Sequence, residues 1–492
     1  MQSQNKKEKA ISIAIIGTGF GGLCAAIQLK KNGFHNFVIY EKSNSVGGTW
    51  RENTYPGAAC DVPSHLYSFS FEPNSNWPRK YSAQPEILSY LKHCAEKYGI
   101  LPHIRFGIEI QSADWDDTSR VWKIKTSQNE SFEHDVFISA VGQLNRPALP
   151  SIKGLESFKG RIFHSANWDP SYNFSGKKVA AIGTGASAIQ FIPQIVNQGA
   201  EVTVFQRTAP WVVPKPDRKY FSFEKFLFKY LPGYRLLHRL QIYMWNEIRM
   251  IAFQKNNHAN KIVKWMSLSH MKKFVKDPEL RKILTPDYPA GCKRILLSND
   301  YYEALAKPNT KVLSESIKEA TPEGIVTKDG LQKFDAIVFG TGFKATEFLS
   351  PMKVKGTKNQ DLNEVWKNGA EAYLGVTVAG FPNFYILYGP NTNLAHNSIV
   401  YMIESQVRYL ISALNEMNKK GIQALIPKVR SMQNYNTSLN KKFDKFVWDT
   451  GCTNWYINAS GKNTNNWPGH TYEYSYKTRK IDLSEYEILS GR

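Results

Sequence analysis

One pattern is written twice in this chain, and it leaves little choice of fold. A short apolar run, Ile13-Ala-Ile-Ile16, breaks into Gly17-x-Gly19-x-x-Gly22. A helical pattern over residues 23–32 stops at Gly33, and a second strand, Phe37-Val-Ile-Tyr40, ends at Glu41. The unit recurs as strand Lys178-Val-Ala-Ala-Ile182, turn Gly183-Thr184-Gly185-x-Ser187-Ala188, a helix over residues 189–197, and strand Glu201-Val-Thr-Val-Phe205 leading to Arg207 and Thr208. Strand, glycine turn, helix and strand predict a parallel sheet covered by helices. The fold class is therefore α/β, with two doubly wound Rossmann-like domains.

Each glycine has a physical task. Gly17 permits the tight turn, Gly19 lets backbone approach a pyrophosphate, and Gly22 lets helix and strand pack closely. The helix N-terminus then faces the phosphate charge. Glu41 follows Gly17 by 24 residues, and Arg207 follows Gly183 by the same 24. An acid at that position suits a free ribose 2′-hydroxyl, as in FAD or NAD. An arginine suits a 2′-phosphate, as in NADPH. The two copies thus read as an FAD site and an NADPH site, with the redox chemistry carried by the cofactors.

Composition narrows the class. A chain of 492 residues, 42% hydrophobic and 21% charged, is neither disordered nor fibrous. No apolar run approaches the roughly 18 residues of a spanning helix. Lys and Arg outnumber Asp and Glu by 63 to 42, a net of +21 that favours phosphate-bearing partners. The five cysteines are scattered and never form a C-x-x-C pair. That spacing predicts no disulfide scaffold, no structural zinc and no metal site, and it fits a reducing compartment, hence a cytoplasmic location. Lys6, Lys7 and Lys9 before an apolar run imitate a signal peptide, but no small-residue cleavage site follows, so the run reads as a strand.

Two longer motifs are more specific. Phe158-x-Gly160-x-x-x-His164-x-x-x-Trp168-Asp169 resembles the fingerprint of type I Baeyer–Villiger monooxygenases. Gly47-Gly48-Thr49-Trp50-x-x-x-x-Tyr55-Pro56-Gly57-x-x-x-Asp61 resembles that family's second long motif. The family is related to the flavin-containing monooxygenases. The resemblance implies an enzyme that uses NADPH, FAD and O2 to insert one oxygen atom beside a ketone carbonyl, giving an ester or lactone through an anionic C4a-peroxyflavin. In that reading Arg294, in Tyr288-x-x-x-x-Lys293-Arg294, is the permanent cation beside the peroxide, and Asp61 holds it. Lys293 joins Arg207 and Thr208 at the NADPH 2′-phosphate, alongside the turn residues Gly183, Thr184, Gly185, Ser187 and Ala188. Thr49, Trp50, Tyr67 and Ile110 join Gly17, Gly19, Gly22, Glu41, Asp61 and Arg294 at the cofactor sites. His164 falls near the domain linker, where a hinge role competes with a chemical one.

The resemblance also implies discontinuous domains. The FAD domain takes residues 1–145 and 381–492, and the NADP domain takes 146–214 and 301–380, around an insertion at 215–300. Two rivals remain at this level. One is oxygenation of amines or sulfides by the same flavin chemistry. The other is a catalytically silent NADPH-binding scaffold associated with a membrane.

The insertion stands apart. Residues 215–282 hold 16 Lys and Arg against 5 Asp and Glu, a net of +11, and are dense in aromatics, among them Phe221, Phe223, Phe226, Phe228, Tyr230, Tyr234, Tyr243, Trp245 and Trp265. Leu236, Leu240, Tyr243 and Ile248 recur near helical spacing. The leading expectation is a helical cap with a solvated face and a core face. Peripheral membrane contact is the sharper reading. No nucleic-acid motif accompanies the charge, so no nucleic acid is expected.

Overall fold

The computed structural model describes residues 11–255, 257–452 and 454–490, so Lys6, Lys7 and Lys9 lie outside the described residues. Two five-stranded parallel sheets form its frame. The first orders its strands as Phe384–Ile386, Val136–Ser139, Ile13–Ile16, Phe37–Glu41 and Ile104–Phe106. The second runs Thr310–Leu313, Glu201–Phe205, Lys178–Ile182, Ala336–Phe339 and Arg161–His164. In each, the glycine-turn strand is central, flanked by the strand that follows its helix and by a later apolar strand. Ile13, Ala14 and Ile15 are wholly buried, as parallel strands covered on both faces require.

The two glycine turns are built alike. Gly17 and Gly183 sit at φ 98° and 100°. A Cβ at Gly17 would lie 2.9 Å from the Ala140 carbonyl oxygen, and one at Gly183 would lie 2.7 Å from that of Gly340. The packing between turn helix and closing strand is complementary across the copies. The first pairs Gly22 on the helix with Ala140 on the strand end; the second pairs Ala188 with Gly340. A Cβ added at Gly340 would meet that of Ala188 at 2.7 Å. In the second copy one methyl fits in this layer and two do not, whereas in the first it is the Gly17 carbonyl oxygen, not the Ala140 methyl 3.6 Å away, that leaves no room for a Cβ at Gly22.

The chain passes between the sheets twice, and the two crossings pair. Pro147 and Phe343 form an antiparallel bridge, supported by Ala148 N donating to Gly342 O at 2.9 Å and Lys344 N donating to Arg146 O at 2.9 Å. His164, at the end of its edge strand, is 5% exposed and stands edge-on to Phe343 with ring centres 5.7 Å apart. The rest of its motif shapes that strand. Asp169 pairs with Arg161 at 2.9 Å, and Trp168 packs on Phe163, Phe174 and Phe191.

Between Glu201–Phe205 and Thr310–Leu313 lie the helices Ser222–Tyr230, Tyr234–Ile248, His258–Phe274 and Pro278–Ile283. They are bracketed by the paired strands Val212–Val213 and Leu296–Leu297. The helical insertion is present, but its faces differ from the expected cap. Leu236, Leu240 and Ile248 are exposed, whereas Asn246 and Glu247 are buried. The cause lies in what the inner face meets: Glu247 is received by hydrogen-bond donors from Asn397 and Thr471, not by an apolar core.

The cysteines also depart from expectation. Cys24, Cys60 and Cys94 are free and buried, but Cys292 and Cys452 form a disulfide with Cα atoms 6.4 Å apart. They lie 160 residues apart in sequence, so only the fold brings them together. The bridge ties the segment bearing Arg294 to the tail. Alkylation before reduction, followed by peptide mass spectrometry, is expected to leave Cys292 and Cys452 unlabelled and to recover them as one linked peptide. Ready labelling of both in the unreduced, unfolded chain would remove the bridge.

Candidate active site and nucleotide clefts

The first cleft is lined by backbone. Gly19 and Gly48 approach so closely that a Cβ on Gly48 would stand 2.9 Å from the Gly19 Cα, while one on Gly19 would meet nothing nearer than 3.7 Å. Gly19 also caps the helix Phe20–Lys31, whose first turn carries no acidic side chain. An anion therefore finds free N–H groups and no competing carboxylate there. Glu41, 4% exposed at the end of its strand, accepts from Thr18 N at 3.0 Å, Thr18 Oγ1 at 2.6 Å, Ser43 N at 3.0 Å and Arg51 Nη2 at 3.2 Å. These four donors fill the carboxylate. Gln143, 4% exposed, donates to the carbonyls of Tyr388 and Gly389 and leaves its own Oε1 unpaired. A cradle bare of side chains, a buried acid and an orphaned acceptor together fit a dinucleotide such as FAD.

The long glycine motif runs from this cleft to the reactive centre. Thr49 opens the short helix Thr49–Glu52 directly after Gly48. Trp50 donates its Nε1 to Tyr67 Oη at 3.1 Å, and Tyr67 stands edge-on to Phe20 at 5.0 Å. Ile110 belongs to a different, four-stranded sheet, and is buried in the same core cluster as Ile16 and Tyr40. Tyr55 donates to Gln190 Oε1 at 2.9 Å, and Gln190 Nε2 donates to Ala59 O at 3.0 Å. A Cβ at Gly57 would sit 2.7 Å from the Gln190 carbonyl. The middle of the motif therefore seats the helix Ala188–Asn197 of the second sheet against the first domain.

The motif ends at Asp61. Arg294 donates to its Oδ2 from Nε at 3.1 Å and from Nη2 at 2.6 Å, and its Nη1 faces the Leu394 carbonyl at 3.5 Å. Burial alone would push the Asp61 carboxyl up. The charge and hydrogen bonds of Arg294 outweigh it and hold the group below the usual carboxylate range. The Asp61 carboxylate in turn holds the guanidinium protonated beyond its ordinary range. Tyr456, wholly buried with an unpaired Oη, and Tyr388 bear electrostatically on the same guanidinium. Burial drives the Tyr456 phenol up to about 12, so it faces the arginine as a neutral dipole at neutral pH. The two side chains of the ion pair keep 25% and 31% exposure, the side from which a ligand reaches them.

The second cleft carries the cations. Gly185 is exposed beside the half-buried Gly183, Thr184 and Ser187, and Thr184 Oγ1 donates to Thr208 O at 3.2 Å. Arg207 is exposed. Lys293 has its proton affinity lowered by burial and then by Arg207, with Asp287 pulling the other way. Among the described residues no ion pair joins Arg207 or Lys293 to a carboxylate. Two mutually repelling cations beside a glycine turn fit the extra phosphate of NADPH.

Tyr388, Tyr456, Gln143 and Gln190 were not singled out from the sequence. Only Tyr388 had a local signal, lying directly before Gly389-Pro390, where its backbone takes φ 63°. Tail residues Trp467 and Tyr474 prove to be core anchors. Tyr474 Oη donates to Leu374 O at 2.7 Å, and Trp467 N donates to Asn393 O at 2.9 Å. Among the described residues no group of His, Cys, Asp and Glu is arranged to hold a metal ion.

Known proteins match this construction along its length. The flavin-binding monooxygenase-like family profile matches residues 10–368. A protein of Streptomyces coelicolor named Baeyer-Villiger monooxygenase is 45% identical over 99% of this chain and 95% of its own length. One of the same name from Pseudomonas aeruginosa is 45% identical over 97% and 91%. The crystal structure of an OTEMO complex with FAD and NADP superposes with a TM-score of 0.89 at 26% identity, over 98% of this chain and 99% of that one. An oxidised steroid monooxygenase bound to NADP gives 0.89 at 28% identity, over 98% and 100%. With a family profile over residues 10–368 and relatives matched from end to end, the chain belongs to the flavin-binding monooxygenase family, on its Baeyer–Villiger branch.

Proposed function

We propose that this chain is an NADPH- and O2-dependent Baeyer–Villiger monooxygenase that converts a ketone to an ester or lactone, with Arg294 as its charge-stabilising residue. The observation that carries the assignment is the Asp61–Arg294 pair, which joins the end of the long glycine motif to the segment bearing Lys293. When bound, FAD supplies oxygen activation and NADPH the hydride. Everything else falls to the chain. Gly17, Gly19 and Gly48 keep side chains out of the pyrophosphate path, and Glu41 takes the ribose. Arg207 and Lys293 receive the phosphate that distinguishes NADPH from NADH.

Arg294 places a positive charge where negative charge develops as the carbonyl carbon is attacked. Its guanidinium does not surrender a proton at working pH, and the bond to Asp61 fixes its orientation in advance. Lysine would carry the charge but lacks the fork that Asp61 grips. The Asp61 carboxyl, already below the ordinary carboxylate range, stays ionised throughout neutral and mildly acidic pH.

Three outcomes are expected. Arg294→Ala retains flavin and its anaerobic bleaching by NADPH in stopped flow, while ester formation falls by about 10² to 10³, the size typical for losing one preorganised stabiliser. Full ester yield from that variant refutes the role; sulfide oxidation run beside the ketone separates the rival chemistry. Arg207→Ala reduces the preference for NADPH over NADH by roughly 10- to 100-fold, the loss expected of a charged hydrogen bond. An unchanged ratio of kcat/KM values counts against the offset argument. Because Lys293 has a lowered proton affinity, its charge disappears as pH rises at a value below that of an ordinary lysine. The KM for NADPH then climbs in alkaline buffer, and Lys293→Arg flattens the climb; a parallel climb in both enzymes excludes Lys293 as its source.

A further inference from the structure

We propose that the outer face of the helical insertion docks on an anionic lipid bilayer, lying in the interface without crossing it. The helix Tyr234–Ile248 is inside out. Its apolar stripe, Leu236, Leu237, Leu240, Met244, Trp245 and Ile248, follows helical spacing along one face and is 51–71% exposed. Its inner side carries Arg239, which donates to the Ser68 carbonyl at 3.1 Å, with the buried Ile242 and Asn246, and the C-terminal end of the helix is held by the buried Glu247. A surface helix meeting only water has the reverse arrangement.

The helices before and after it in the chain expose apolar residues too. Phe223, Phe226 and Tyr230, at i, i+3 and i+7 of Ser222–Tyr230, are 58–69% exposed. Ile262 and Trp265 of His258–Phe274 are 57% and 68% exposed. Exposed apolar residues are normal when scattered singly. Here 14 of the 23 large ones exposed among the described residues fall between Phe221 and Trp265.

Charge selects the occupant. Residues 215–282 carry a net of +11, and exposed lysines alternate with the stripe: Lys229 beside Tyr230, and Lys261 and Lys264 around Ile262 and Trp265. A second copy of this chain packed face to face would set that excess against itself. An anionic headgroup layer answers both features, taking the aromatics at its boundary and the lysines at its phosphates. No described helix is long and apolar enough to cross, which confines the contact to the surface.

The contact also lies close to the chemistry. Glu247, buried at the C-terminal end of the helix, accepts from Asn397 Nδ2 at 2.6 Å, three residues past Leu394, whose carbonyl faces Arg294. One helix, about 10 Å across, separates the lipid face from those loops. On the monooxygenase reading, to which this step alone is tied, an apolar ketone dissolved in the bilayer arrives beside the site.

The test is flotation of the full-length holoenzyme with vesicles of phosphatidylcholine, with or without about a third phosphatidylglycerol. Binding to the anionic vesicles is expected to exceed the neutral by at least roughly tenfold, to weaken from roughly 0.1 to 1 M salt, and to shift tryptophan emission to the blue. Leu240→Ser/Trp245→Ser and Lys261→Glu/Lys264→Glu are each expected to reduce it about tenfold with flavin content and circular dichroism unchanged. Absence of flotation, or flotation indifferent to both double variants, overturns the proposal. So does a dimer in sedimentation that Leu240→Ser/Trp245→Ser dissolves without any vesicle binding, since the face then belongs to a second copy. Flotation does not read turnover, so a failed membrane contact with intact oxidation of a water-soluble ketone is distinct from a failed monooxygenase assignment.

Discussion

The bond between Asp61 and Arg294 joins residues 233 positions apart, and most of the functional architecture exists to let it form. A free arginine has about 2 kcal/mol of rotamer entropy to lose, so a cation meant to act at one point needs something to hold it there. Asp61 takes two of its donors on a single oxygen. The loop bearing Asp61 is in turn pinned to the second sheet through Tyr55, Ala59 and Gln190. Arg294 is fixed from its own side by the strand Leu296–Leu297 and by the Cys292–Cys452 bridge. The ion pair is therefore a joint between elements that are each positioned independently.

This explains the length of the motif from Gly47 to Asp61. Its first residues bring Gly48 against Gly19 of the first glycine turn, Trp50 packs beside Tyr67, Tyr55 and Gly57 meet the helix of the second sheet, and Asp61 grips Arg294. A displacement at any point along the run reaches the others through covalent chain. Glycine at position 57 follows from contact as much as from conformation, because a side chain there would strike the Gln190 carbonyl.

Local order was legible in the sequence, whereas long-range pairing was not. Strands such as Lys178–Ile182 and Glu201–Phe205 appear where short apolar stretches and glycine punctuation place them, because a parallel strand covered on both faces buries most of its side chains. The equal offsets to Glu41 and Arg207 were readable because both copies use the same strand, turn and helix lengths. Pairing Asp61 with Arg294 came from resemblance alone, since no periodicity links positions so far apart. Tyr456 and the Cys292–Cys452 bridge had no such guide. For the insertion, spacing disclosed an amphipathic helix, but a period carries no sign: it does not tell which face turns inward.

That sign is set by Glu247. Burial would drive its carboxyl up, yet His396 beside it and donors from Thr471 and Asn397 bring it down to about 2, so it stays charged inside the protein. His470 adds a contact at 2.9 Å and Thr471 N closes at 3.2 Å. A carboxylate with this many partners anchors its end of the helix by hydrogen bonds, beside the apolar contacts of Ile242 and Tyr243, and an unsatisfied one in the same place would not tolerate the interior. The consequence is geometric. A conventional amphipathic helix commits its apolar face to the core of its own protein and has nothing left to offer outside. By fixing Tyr234–Ile248 at its C-terminal end through Glu247 and along its inner side through Arg239, Ile242 and Asn246, the chain keeps six large apolar side chains exposed, within one helix diameter of the loops that surround its arginine.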